Sequence, residues 1–186
     1  MEKLSERQLK KGLELFWTKG FDAVAPKDAE EFMGLEPGSF DALCGTKADL
    51  YVRLLEFYFE HYWRKAMEGL MREQPLSRAL TGFFEDEVRI CLEKSAPCGN
   101  ILVVRTGGLV PEAENARTGF LREIEKSLFN RLEAERRQGR LGADAADISD
   151  KLSRAYVRIA EEARKGAEKK TLTELAESAV LMVPIL

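Results

Sequence analysis

The side chains best equipped for chemistry are few and scattered. A single histidine, His61, lies in the aromatic run Phe57-Tyr58-Phe59-Glu60-His61-Tyr62-Trp63. An imidazole there could contact a ligand or titrate near neutral pH; packing against its neighbours is the plainer use. Further along, Phe83-Phe84 and Val104-Arg105 place aromatic and apolar groups beside one cation. That arginine could pair with an anionic ligand or with one of the chain's many acids. Cys44, Cys91 and Cys98 are odd in number and show neither CxxC nor Cys/His metal spacing. Cys91 and Cys98 are seven residues apart with Pro97 between them, so a shared helical face is not expected. Thiol sensing is one use for these residues and inert burial another. No acid–base pair, metal set or nucleophile motif is visible, which argues against an enzyme and gives no reason to expect a metal or cofactor.

The elements that must position these groups are helical throughout. Leu9, Leu13 and Phe16 mark one face of a first helix, with Ser5 to Gln8 as a capping box and Gly20 as its stop. A short helix follows from Pro26 to Met33 and ends at Gly34; another runs from about Pro37 to Cys44. Thr46 and Asp49 open a long fourth helix reaching about Met71, and Pro75 opens a fifth to about Lys94. A short apolar helix begins at Ile101 and stops at Gly107-Gly108. Pro111 opens a long helix with Phe120, Ile124, Leu128 and Leu132 as its stripe. Helices over about Asp147–Lys165 and from the box Thr171–Glu174 to Val183 complete the chain. No strand-like alternation appears, so the fold is all-α with nine helices. The chain of 186 residues divides into a head, 1–46, and a body, 47–186. No apolar run is long enough to span a bilayer, and a cytoplasmic protein with reduced thiols is expected.

The order of chemistry in the head is specific. Leu13 to Ala23, with Gly20 inside it, is followed by Asp28-Ala29-Glu30-Glu31-Phe32-Met33-Gly34-Leu35, then Gly38-Ser39-Phe40, then Gly45-Thr46-Lys47-Ala48-Asp49-Leu50. Over about residues 9–55 this pattern resembles the helix-turn-helix head of the TetR (tetracycline-repressor-like) family of transcriptional regulators. The resemblance implies a homodimer joined through its last two helices, with two heads on successive major grooves and a small-molecule pocket in each body. By position it implies a DNA-facing set of Lys27, Pro37, Gly38, Ser39, Asp41, Ala42 and Lys47. In that family the fourth helix lines the pocket, which makes His61 and Trp63 pocket candidates together with Phe83, Phe84, Val104 and Arg105.

The head departs from the family pattern where phosphates would be held. Val24-Ala25 replaces a hydroxyl pair at the start of the second helix, Pro37 replaces a polar residue, and Asp41 stands where an aromatic hydroxyl is usual. From Asp22 to Thr46 one lysine, Lys27, faces six carboxylates, a net of −5. Phosphate contacts supply most of the affinity of such proteins, so acids at the docking face oppose binding. Lys10, Lys11 and Lys47 are the helpers nearby. Two readings follow: a ligand-responsive regulator that binds DNA as a homodimer, and a TetR-fold dimer with a degenerate head that binds a small molecule or protein instead. The C-terminal Ala179 to Leu186 is apolar and should be covered, by the chain's own body or by a partner subunit.

Overall fold

The computed structural model describes residues 3–104 and 110–186. Among the described residues there are nine α-helices: α1 (Glu6–Lys19), α2 (Pro26–Met33), α3 (Phe40–Cys44), α4 (Lys47–Tyr58), α5 (Arg64–Met71), α6 (Leu76–Cys91), α7 (Pro111–Arg137), α8 (Ala145–Arg164) and α9 (Lys169–Leu181). Among the described residues no strand forms, and one isolated antiparallel bridge joins Leu141 to Ile185.

Two expected helices are built differently. The single helix over 46–71 is interrupted by a π-helical turn, Phe59–Trp63, between α4 and α5. The buried stripe explains the break: Leu54 and Tyr58 step by four, Trp63 comes five later, and the four-residue step then resumes at Met67. A π turn takes up that extra residue and keeps both aromatics inward. The short helix expected from Ile101 is a 3-10 turn over Ile101–Val103.

The chain forms two compact units. The first holds residues 1–61 and 104–119. Here α1 starts with the expected capping box: the Ser5 hydroxyl accepts from the Gln8 N–H, and the Gln8 side chain accepts from the Ser5 N–H at 2.8 Å. Helix α1 packs on α2 and α4, and Gly12 makes the approach close. A Cβ there would lie 3.1 Å from both Leu54 Cδ2 and Met33 Sδ. Phe16, Phe21 and Tyr51 form the aromatic centre, with Phe21 and Tyr51 edge to face at 5.2 Å, and Trp17 meets Tyr58 edge on at 5.2 Å.

The second unit holds residues 62–103 and 120–186. Helix α6 packs on α5, α8 and α9, and α8 packs on α9. Its core draws on Leu80, Phe83 and Phe84 of α6, Ile124, Leu128 and Leu132 of α7, Leu152, Tyr156 and Ile159 of α8, and Leu172 of α9. Helix α8 begins at an Asp144 cap that accepts from the Ala146 and Asp147 N–H groups. Helix α9 begins after Glu168, so the expected box Thr171–Glu174 lies inside it. A buried ionic cluster ties the end of α7: Glu135 pairs with Arg131 and, at 2.6 Å, with Arg140, while Arg131 donates to the Gln74 carbonyl at 2.7 Å. The C-terminal residues are held by their backbone, Gly142 N–H to Pro184 and Leu186 N–H to Arg140, each at 3.0 Å.

Candidate functional site

The helix pair α2–α3 presents the head's exposed surface, and internal contacts fix it at both ends. Glu30 of α2 reaches across the turn: its carboxylate accepts from the Gly38 N–H at 2.9 Å and the Phe40 N–H at 3.0 Å. These bonds, the Gly38 one first, hold its pKa below the ordinary carboxylate value. The Ser39 hydroxyl donates to the Glu36 carbonyl at 2.6 Å. At the other end of α3, Arg53 donates to the Leu43 carbonyl at 2.8 Å. Phe40 and Cys44 turn inward. Pro37, Gly38, Asp41 and Ala42 are exposed, and Ser39 is half-buried. Gly38 has φ +81° with open space where a Cβ would stand, so the turn needs glycine for its backbone and not for crowding.

The cations are placed less favourably for an anionic partner. Lys47 turns into the protein: its Nζ donates to the Phe21 carbonyl at 2.9 Å and the Val24 carbonyl at 3.0 Å, and it sits 4.3 Å from the centre of the Phe21 ring. Lys27 is exposed at the first turn of α2. Arg7, Lys10 and Lys11 line a shallow concavity on α1 together with Glu6 and Glu14. Lys11 leans toward the end of α2, with its Nζ 3.8 Å from where a Gly34 Cβ would be. The two family-pattern positions before α2 also differ in kind. Val24 is fully buried, whereas Ala25 is the exposed N-cap and offers no side-chain bond to the helix. Only position 25 could hold a phosphate or cap.

The pocket candidates do not share one environment. His61 belongs to the first unit, stacks on Phe57 with centroids 3.9 Å apart, and lies 2.9 Å by Nδ1 from the Phe57 carbonyl. It is 46% exposed, with Nε2 4.0 Å from Glu6. Val104 is buried in that same unit, and Arg105 lies outside the described residues. Trp63, Phe83 and Phe84 are buried in the second unit. There Phe83 and Phe84 meet edge to face at 5.2 Å, and Phe83 stacks on Tyr156 at 5.8 Å. An open groove of about 620 Å³ in this unit is lined by Val88, Leu92, Lys94, Lys169 and Thr173 among others.

Glu87, Asn100 and Tyr156 match no motif in the sequence, and the second unit buries them together. The signal was present: Phe83, Phe84, Val88 and Cys91 form the apolar stripe of α6, and Glu87 sits on it. Cys44 and Cys91 are buried and Cys98 is exposed, all as free thiols. Burial raises the pKa of Cys91 strongly and that of Cys44 as well, which makes both poor nucleophiles. Among the described residues no group of three His, Cys, Asp or Glu side chains is arranged to hold a metal, and no helix is long and apolar enough to cross a membrane.

No family model matches this sequence. The chain is 24% identical over 152 residues, 82% of its length and 75% of the relative's, to the HTH-type transcriptional repressor BdcR of Escherichia coli (strain K12). Its fold is similar to that of the TetR family regulator CifR, solved as a cysteine mutant with operator DNA, at TM-score 0.89 and 18% identity over 99% of this chain and 98% of that one. It is also similar to reduced E. coli NemR, at TM-score 0.82 and 16% identity over 96% and 95% of the two chains. With the head geometry, these likenesses show that the chain has the fold of TetR family transcriptional regulators.

Proposed function

We propose that this protein is a ligand-responsive transcriptional regulator that binds operator DNA as a homodimer in the cytoplasm. Residues 1–46 form the head and 47–186 the body. The observation that carries the reading is the α2–α3 pair. Glu30 bonds its turn and Arg53 the end of α3, while Pro37, Gly38, Asp41 and Ala42 are exposed and Ser39 is half-buried, which supports an outward docking face. A rigid short helix with an exposed outer face suits groove docking. The structural likeness to CifR, crystallised with operator DNA, supports it.

The dimer joins through α8 and α9. At the end of α9 and beyond, Leu181 is 84% exposed and Leu186 80%, with Met182 and Ile185 also outward. Four large apolar side chains within six residues favour cover by a second copy. The ligand is held in the body, for which Trp63, Phe83 and Phe84 supply the apolar wall.

Fluorescence anisotropy with the duplex flanking the protein's own gene tests the reading, beginning at low salt, where phosphate contacts contribute most. Saturable, salt-sensitive binding is expected. A specific observation favours the second reading, a dimer whose head no longer takes DNA: Lys47 spends its ammonium on the protein's own carbonyls, and Asp41 is exposed on α3. Absence of binding at low salt by a folded dimer would select that reading.

A further inference from the structure

The second unit buries one carboxylate for which the proposed function has no use. Glu87 of α6 is 1% exposed. Its Oε1 accepts from Asn100 Nδ2 at 2.7 Å and from the Cys91 thiol at 3.1 Å. The Tyr156 hydroxyl accepts from Asn100 Nδ2 at 3.3 Å and lies near enough to Glu87 to help lower its pKa. Oε2 is buried without a hydrogen-bond partner. Burial pushes the Glu87 pKa up to about 7, against the smaller lowering effects of Cys91, Asn100 and Tyr156. The groups that face it are therefore a thiol from its own helix, an amide from the segment before the 3-10 turn, and a phenol from α8. None of them is a cation.

A buried acceptor without a donor is costly to leave so, and a carboxylate more than an amide. The partner that relieves it best brings an N–H with positive charge. The surroundings suit the rest of such a molecule. Phe83 lies one helical turn before Glu87, stacks on Tyr156 and meets Phe84 edge on, so buried aromatic rings of the kind that hold an apolar frame and a cation stand beside the carboxylate, and a ligand must part them to enter.

We infer that the body recognises its effector through a cationic nitrogen, an amine, amidine or guanidine on a small apolar frame, received by Glu87 with Phe83, Phe84 and Tyr156 alongside. This rests on the reading of the body as a small-molecule receptor and names the class of molecule. It also reverses the sign expected from Arg105, which suggested an anion. Binding has a structural consequence within the same unit. Asn100 caps the 3-10 turn by accepting from the Leu102 N–H at 3.0 Å and the Val103 N–H at 3.2 Å. A ligand that competes with Asn100 for Glu87 acts directly on that turn.

The test is thermal unfolding of the full chain with benzamidine and with benzoate, the same frame bearing opposite charges. Benzamidine at about ten times its Kd should raise Tm by about 3–6 °C, and benzoate should not. The shift should be larger at pH 8 than at pH 6, because the ionised form of Glu87 receives the cation, and it should vanish in Glu87→Gln. Equal shifts from both compounds, a benzamidine shift that survives in Glu87→Gln, or no benzamidine shift at millimolar concentration would each overturn the inference. The comparison of the two compounds on the unsubstituted protein needs no variant, so it decides the matter even where Glu87→Gln folds poorly. Operator binding is measured on the same preparation. Benzamidine stabilisation without DNA binding removes the regulator reading alone; DNA binding without benzamidine stabilisation removes this inference alone.

Discussion

Replacing Asp41 by lysine tests where the head meets DNA. Asp41 is exposed in the first turn of α3, and Phe40 and Cys44 on the opposite side are buried, so its carboxylate lies on the outward face. If that face docks on DNA, Asp41→Lys removes one repelling charge per head and adds one phosphate contact. Each neutralised phosphate contributes about −0.9 to the slope of log Kobs against log salt, so two heads steepen it by about 1.8. Between about 50 and about 200 mM salt, a fourfold change, the variant's advantage over the parent should shrink by about tenfold. Anisotropy titrations of parent and variant on one duplex at both salts measure this. The fold should be nearly indifferent: a cation at the start of a helix costs about 0.3–1 kcal/mol, or about 1–4 °C in Tm for a chain of this size. An unchanged slope in a folded, DNA-binding variant would show that α3 does not face the phosphates, and the docking orientation drawn from the head would be wrong.

Other substitutions probe separate parts of the argument. Ala25→Ser supplies the cap that α2 lacks and should add about 1 kcal/mol, read as a Tm rise of about 2–4 °C. Glu135→Gln leaves Arg131 buried without its anion and should cost about 3 kcal/mol, read by chemical denaturation. The hydrogen bond from Arg140, then that from Arg131, holds the Glu135 pKa below its unfolded value. Its contribution is therefore present above about pH 4.5 and is lost as pH falls through the lower folded pKa, a loss that Glu135→Gln should not show. Leu181→Glu places a charge on the exposed end of α9 and should shift the dimer toward monomer in sedimentation velocity; an unchanged dimer would move the interface elsewhere.

Much of the fold was readable because local chemistry and tertiary packing agree. Ser5 with Gln8, Thr46 with Asp49, and the stops at Gly20 and Gly34 are helix signals that act within a few residues, and each appears in the structure. The π turn was less visible, since a five-residue step hides inside a helix of ordinary composition; only the spacing of Tyr58 and Trp63 gives it away. At the start of α9, Thr171 and Glu174 have the right identities for a capping box, but the chain enters the helix one turn earlier, after Glu168. The site was harder still. Lys47 reads as a surface cation until the loop carbonyls of Phe21 and Val24 are seen around it. The stripe of α6 places Glu87 on a buried face, but its partners Asn100 and Tyr156 are distant in sequence, and only the fold brings them beside it.

Helix α4 makes two attachments to the recognition pair. At its first residue Lys47 grips the loop that leads into α2, and six residues on Arg53 grips the last turn of α3. Mechanically these are two bolts on one shaft. A single attachment would let the recognition helices swing about it, whereas two separated along the axis transmit torque as well as translation. A rotation or slide of the first two turns of α4 therefore carries α2 and α3 with it as one piece, with no hinge between them in which the motion could be lost. Loosening either bolt, by Lys47→Met or Arg53→Met, would convert a stiff linkage into a slack one without touching any residue of the outward face.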